Sequence, residues 1–510
     1  MTQVLTNNRG NDKPFSTATR AGEKPAWDVA VIGTGMGGSA AGAICALNGL
    51  KTLIVDKNPA PGGACSCYEK QGFRLDTGTH LFIRCNRGPF GDLTKRLGMG
   101  LPIDFRRTRY LTHVKGMNVD ARIPAGRFGM VMVLPLLIWQ LKIHPRYHGP
   151  ILRLFYDIAR MTPRQVEALD RVPIETFLLR YTGNPEVRAM MGILLGLFFV
   201  LPAWEASAGE SIWNLQKMFV ENCLGYPKGG AITIPKTFLA GAERHGAEVR
   251  LKCGVEKIEV QHNRVKAVIL DNGERVATRS VISTTALRDT VFRLAGAGLF
   301  PSGYLAGVEK IKQAWTAVQA KIAVKKRLIH AGSMVGCVPL RFRIEDRVVR
   351  EAMARVEKGI QGDTIPIYAP VPTNYDPDLA PKGCHIITAA AVAPTLDVPL
   401  ADNEQVWING LMNALHQMVP GLKENTLFAD TWTVADLAGW IGKSSGSVIT
   451  TAQTVDQVGA GRPDHRTPVE GLYIAGDCAG PARGVGTELA CRSGMDCGDL
   501  VSADLRRGEG

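Results

Sequence analysis

The chain lacks the features that would place it in a membrane or outside the cell. None of its uncharged apolar runs reaches the ~20 residues that a spanning helix requires. Met1 to Ala26 is polar, without the apolar centre of a secretory leader. Aromatic residues are sparse, at 7%, and no compact basic run is interleaved with them. The net charge of +13 suits an anionic cofactor, an anionic lipid surface or nucleic acid, and the lack of such a run speaks against the last. The 11 cysteines offer no second pair at zinc-ligand spacing beside Cys65-x-Cys67, so no metal site is expected. Reduced thiols in a cytoplasmic setting are the natural reading. No Gly-x-Ser-x-Gly nucleophile motif, internal repeat or low-complexity tract is present.

What is present suits a large globular protein. Hydrophobic residues make up 45% and charged residues 21% of 510, enough for two or three domain-sized pieces. After a polar arm (1–26), Asp28-Val-Ala-Val-Ile-Gly33 is β-rich, Met36 to Asn48 is alanine-rich and helical, and Lys51 to Asp56 is β-rich again. That order is a βαβ unit. Its turn carries Gly33-x-Gly35-x-x-Gly38. Gly33 permits the tight turn, Gly35 lets a pyrophosphate approach the backbone, and Gly38 lets helix and strand pack closely. The helix N-terminus offers free N–H groups to phosphate. Asp56, closing the next strand, can accept hydrogen bonds from ribose hydroxyls. No second such fingerprint follows a strand elsewhere, so a separate nicotinamide domain is not expected.

Three further motifs lie far apart: Gly62-Gly63 with Asp76-Thr-Gly78-Thr79-His80, then Gly225-Tyr-Pro-Lys-Gly-Gly230, then Gly471-Leu-Tyr-Ile-Ala-Gly476-Asp477 with Arg483-Gly484-Val485. The combination resembles the FAD-dependent amine oxidase superfamily, and the run at 225–230 narrows it to the phytoene desaturase, carotenoid isomerase and retinol saturase-like branch. The resemblance implies FAD. Its pyrophosphate would meet Gly33, Gly35, Gly37 and Gly38, and its adenosine ribose Asp56, beside Lys57. Gly62, Gly63, Gly78 and Thr79 would pass close to the cofactor, and the Val255 backbone would contact adenine. Gly476 and Asp477 would flank the ribityl chain, and Gly484-Val485 would form the flavin-facing turn. Ala64, Asp56 and Ala482 depart from the usual Arg, Glu and Gly of the family, and Arg483 and Glu488 are polar where its carotenoid members are mostly small or apolar.

The implied architecture is α/β: a Rossmann-like FAD-binding domain assembled from 27–115, 226–290 and 440–505. A helical substrate or membrane-contact region (116–225) and a sheet-rich substrate region (291–439) are inserted. The implied activity is dehydrogenation of an apolar isoprenoid by hydride transfer to flavin, with an external acceptor such as oxygen, a quinone or a partner protein. Alkene saturation or cis–trans isomerisation on reduced flavin is an alternative, and so is a non-catalytic flavin-binding lipid escort or partner subunit. His80 is the candidate acid or base, Arg483 a stabiliser of negative charge on reduced flavin, and Glu488 a proton acceptor or a partner of Arg483. Phe128 to Leu141, uncharged and followed by Lys142 and Arg146, fits equally a peripheral contact with the cytoplasmic membrane face, a buried helix or a subunit interface. Oligomeric state stays open.

Overall fold

The computed structural model describes residues 26–507 apart from 117, 127–133, 137, 219–222, 342–345 and 402, and apart from the side chains of 190, 193–197 and 346. The polar arm before Ala26 and half of the run at 128–141 lie outside the described residues.

A five-stranded parallel sheet forms the first layer, in the order Leu472–Ile474, Arg275–Ser283, Trp27–Ile32, Thr52–Val55, Glu248–Arg250. Its central strands are apolar on both faces. Val29, Ala30, Val31, Leu53 and Ile54 are all fully buried, as a parallel sheet covered on both sides demands. Strand Arg275–Ser283 belongs to two arrangements. Its last residues pair in the parallel sheet, and Arg275 to Ala277 pair with Arg264–Leu270, which in turn pairs with Val255–Gln261. The Asp271-Asn-Gly273 turn closes that hairpin, with Gly273 at φ +83°.

Helix Met36–Leu47 crosses the C-terminal helix Gly486–Arg507 at very short range. A Cβ on Gly494 would lie 2.2 Å from the Gly37 carbonyl oxygen, and one on Gly498 2.8 Å from Ile44 Cβ. Small residues on both helices let the last element of the chain lie against the first.

The second sheet has seven strands, in the order Thr426–Trp432, Thr316–Val324, His385–Ala393, Ile365–Pro370, Ser333–Val338, Tyr110–Gly116, Val119–Pro124. Helix Glu404–Met418 covers it with Trp407, Leu411 and Leu415. A helical region spans His148–Arg160, Pro163–Glu167, Ile174–Leu179, Pro185–Phe199 and Ala208–Gln216, around a core of Leu154, Phe177, Phe199 and Ile212.

Two expected boundaries move. The one at 115 falls inside strand Tyr110–Gly116, whose backbone pairs with Ser333–Val338 in the second sheet. The one at 290 is too early. The π-helical segment Asp289–Gly296 presents Val291, Leu294 and Ala295 to one side, and these pack with Ile258 and Val268 of the hairpin and Val281 of the first layer. The uncharged run at 128–141 leaves Trp139 73% exposed, whereas a second uncharged stretch, 189–204, is largely internal where described, with Phe199 and Leu201 fully buried.

Candidate cofactor and substrate site

The first parallel strand ends at Gly33, whose φ of +101° is open only to glycine at low cost. The chain then turns so tightly that a Cβ on Gly38 would sit 1.9 Å from the Gly33 carbonyl oxygen. Gly35 is the N-cap of helix Met36–Leu47. No side chain caps it, no acid stands in the first turn, and the direction of its missing Cβ is open space. The uncompensated N–H groups of that turn therefore face a cavity, which is the arrangement that binds phosphate.

The cavity has a volume of about 450 Å³. It brings together Gly33, Gly35, Gly37, Asp56, Lys57, Gly62, Gly63, Gly78, Thr79, His80, Val255, Gly476, Asp477 and Val485 from five stretches of chain. Gly38 and Gly484 do not line it. Gly38 stands behind the turn, and Gly484, at φ +124°, donates its N–H to Glu210 Oε1 at 2.5 Å. Asp56 Oδ2 accepts from Thr34 N (2.8 Å) and Oγ1 (2.6 Å), and its Oδ1 from Asn58 N (2.9 Å), so the carboxylate is oriented before any ligand arrives. Asp477 is held by Lys443 Nζ at 3.0 Å and Thr450 N at 2.7 Å. Lys57, Arg293 and Lys443 add positive charge to the wall. A phosphate-facing helix end, a glycine cradle, two oriented carboxylates and flanking cations fit a dinucleotide.

The same cavity continues to the face of the second sheet, where Ala317, Val335, Ala390 and Val392 line it with Phe198 and Val200 of the helical region. Two sequence motifs meet at its edge. Asp76 accepts from Tyr226 Oη at 2.5 Å and from Ala231 N at 3.1 Å, tying the strand before His80 to the glycine run at 225–230. Burial pushes the Asp76 carboxyl up to about 6, against the pull of these two donors.

The three candidate catalytic side chains fare differently. His80 lines the cavity, yet its Nε2 donates to the Ala64 carbonyl at 2.9 Å, and burial lowers its pKa to about 4. The remaining nitrogen, Nδ1, faces Cys65 Sγ at 3.9 Å, and burial pushes that thiol well above its ordinary range. The ring is therefore a neutral, fixed hydrogen-bond donor rather than a ready base. Arg483 does not line the cavity. Its guanidinium makes a bidentate pair with Asp170 (2.7 and 2.9 Å) and reaches Glu210 Oε2 at 3.3 Å. Asp170 lies in the turn after helix Pro163–Glu167 and Glu210 in helix Ala208–Gln216, and neither belongs to a motif that marks it along the chain. Nor does Glu488 pair with Arg483. Its Oε1 accepts from the backbone N–H groups of Ile83 (3.2 Å) and Arg84 (2.8 Å).

Sequence reasoning missed Arg293, Gln319, Tyr368 and Lys443 on the cavity wall. Only Lys443 had a visible signal, the Gly442-Lys-Ser-Ser-Gly446 loop. Gln319 and Tyr368 lie inside ordinary β-strands, and only sheet pairing turns them inwards.

Residues 31–97 match the NAD(P)-binding Rossmann-like domain family. Across nearly the whole chain, similarity extends to a chloroplastic prolycopene isomerase from Daucus carota, 22% identical over 95% of this chain and 81% of that protein. A pyridine nucleotide-disulfide oxidoreductase domain-containing protein 2 from Rattus norvegicus is 23% identical over 95% and 94%. A 4,4'-diapolycopene oxygenase from Methylomonas sp is 22% identical over 94% and 98%. The chain resembles the FAD-dependent amine oxidase superfamily, in its carotenoid branch. Solved structures agree on the fold. An oxidoreductase from Methanosarcina mazei superposes with a TM-score of 0.69 at 18% identity, covering 92% of this chain and 99% of that one. A putrescine oxidase variant gives 0.63 at 16%, covering 94% and 99%.

Proposed function

We propose that this protein is a FAD-dependent oxidoreductase that exchanges hydride with an apolar isoprenoid or polyene. The observation that supports this most is one continuous cavity, with a dinucleotide cradle at one end and alkyl walls from the second sheet at the other. Bound FAD supplies a two-electron carrier that takes or returns hydride at carbon. The chain's own residues bind and position. The glycine turn and helix end hold the pyrophosphate, Asp56 orients the ribose, and Asp477 is kept in place by Lys443 and Thr450. Phe198, Val200, Val335 and Val392 exclude water from the reacting carbon and hold an uncharged chain by shape alone.

Dehydrogenation to an external acceptor is the first reading of direction. Isomerisation or saturation on reduced flavin is the second, and the state of His80 favours it. Its neutral ring is committed to Ala64 and is a poor acceptor for the proton that dehydrogenation releases. The likeness to a prolycopene isomerase supports the same alternative. Anaerobic mixing with lipophilic polyenes separates them. Dehydrogenation bleaches the flavin absorbance stoichiometrically. Isomerisation changes the polyene spectrum only after the flavin has been reduced, with no net oxidation. A yellow protein that binds polyenes and changes neither spectrum is an escort, and a chain that refuses FAD and binds NAD overturns the reading altogether.

A further inference from the structure

Away from the cavity wall, two cysteines far apart in sequence meet. Neither Cys85 nor Cys223 lines the cavity, and the whole helical region lies between them along the chain. Backbone pairing brings them together. Phe82 and Gly225 form an antiparallel bridge, in which Gly225 N donates to the Phe82 carbonyl at 3.2 Å. Because the strands are antiparallel, Cys85 after Phe82 and Cys223 before Gly225 fall on the same side of that bridge. Gly225 leaves room for the sulfur, since a Cβ there would lie 3.3 Å from Cys85 Sγ. Strand Phe105–Arg106 pairs with Tyr226–Pro227 and so delivers Arg107, whose Nη2 donates to Cys223 Sγ at 3.6 Å.

The two sulfurs stand within hydrogen-bond reach of each other, and their surroundings make them unequal. The hydrogen bond from Cys85 brings the half-buried Cys223 thiol down to about 6 against its desolvation, and Arg107 and Arg87 add to the shift with their positive charge. Cys85 is 2% exposed. Burial pushes its thiol well up, the Glu488 carboxylate adds to this, and it stays protonated. Burial likewise pushes Cys45, Cys337 and Cys478 up to about 12, which leaves them inert. The chain at Cys85 has φ +46°, a left-handed conformation that a non-glycine residue keeps only where its surroundings impose it. An accessible thiolate beside cations, touching a buried protonated thiol, is the arrangement of an attacking and a resolving sulfur.

We propose that Cys223 and Cys85 form a redox-sensitive pair, which a hydroperoxide converts into a disulfide. The Cys223 thiolate attacks the terminal oxygen of the hydroperoxide. The O–O bond breaks, Cys223 becomes a sulfenic acid, and the departing alkoxide or hydroxide takes a proton from solvent. The Cys85 sulfur then displaces the sulfenic hydroxyl, which leaves as water with the Cys85 proton. Thiolate and thiol together lose two electrons, and the hydroperoxide gains them. The new bond ties together the two ends of the segment that carries the helical region. The step uses neither flavin nor polyene, so it stands or falls apart from the oxidoreductase reading.

The test treats the full, reduced, FAD-loaded chain with equimolar hydrogen peroxide, blocks the remaining thiols under denaturing conditions and maps peptides without reduction. A linked peptide containing Cys85 and Cys223 is expected, and dithiothreitol should release it. Cys85→Ser should halt the reaction at a sulfenic acid on Cys223, trapped by dimedone. Alkylation of native Cys223 should inflect near pH 6, and Arg107→Met should move that inflection upwards. Recovery of Cys223 as a free thiol from peroxide-treated wild type overturns the proposal. So does a sulfinic acid on Cys223 with Cys85 still free, or a linked peptide that forms only once the chain is unfolded.

Discussion

Arg483 shows how far a residue's neighbours decide its work. Beside a flavin-facing turn in sequence, it invites an electrostatic role, yet it is bound to Asp170 and Glu210, which are 15% and 0% exposed at their side chains. Removing a cation from a buried carboxylate cluster leaves the acids uncompensated, at a cost of about 3–5 kcal/mol. Arg483→Ala should therefore lower the melting temperature substantially, and urea denaturation of the flavin-free protein measures it. An unchanged midpoint would return Arg483 to the list of catalytic groups. His80 makes a pH prediction. Its folded pKa of about 4 lies below the ordinary 6.5, so the folded state prefers the neutral ring. The stability this contributes is complete above pH 6.5 and is lost as pH falls towards 4, on the order of 3 kcal/mol in all. Asp76, raised to about 6, acts in the opposite sense and favours the fold as pH falls from about 6 towards 3.8. His80→Gln keeps a donor near Ala64 but cannot titrate in this range. It should make the protein less acid-sensitive between pH 6.5 and 4, as pH-dependent denaturant midpoints would record.

At the scale of elements, the crossing of helices Met36–Leu47 and Gly486–Arg507 fixes the phosphate end of the cavity. Gly37 lines the cavity, and its carbonyl oxygen is the atom that a Cβ on Gly494 would strike at 2.2 Å. Gly to Ala within a helix normally stabilises by about 1 kcal/mol. Here the sign should reverse. Gly494→Ala should destabilise by about 1–3 kcal/mol and loosen FAD retention, read by thermal melting and by flavin released on gel filtration. A stabilised, fully yellow variant would mean that the helices stand further apart. The βαβ unit at 27–56 was legible in the sequence, because a glycine turn between β-rich and alanine-rich runs declares itself locally. The mixed membership of strand Arg275–Ser283 was not, since its two pairings depend on partners elsewhere in the chain.

At the scale of the whole molecule, no helix among the described residues is long and apolar enough to cross a membrane. The helical region nevertheless shows water an apolar edge. Trp139 is 73% exposed, Leu152 and Tyr156, one turn apart on helix His148–Arg160, are 55% and 58% exposed, and Lys142, Arg146, Arg153 and Arg160, near them along the chain, are exposed too. Large exposed apolar groups flanked by cations suit the interface of an anionic bilayer, from which an insoluble substrate can be drawn. Trp139→Glu with Leu152→Glu should abolish co-flotation with phosphatidylserine-containing liposomes and leave FAD content and melting temperature unchanged. Because both side chains are exposed, unfolding of the double variant would instead reveal a subunit interface.

By itself, the sequence determined the glycine turn of the candidate cofactor site. Gly33, Gly35 and Gly38 must be adjacent in space because one strand, one turn and one helix hold them, and Asp56 joins them through the pairing of the next strand, Thr52–Val55, with Trp27–Ile32. The tertiary structure decided the rest. Whether His80 is a base, whether Arg483 meets the cavity or two acids, and whether Gln319 lines the cavity depend on burial and on partners tens to hundreds of residues away. Desolvation and ion pairing act through space, and a linear reading sees only neighbours along the chain.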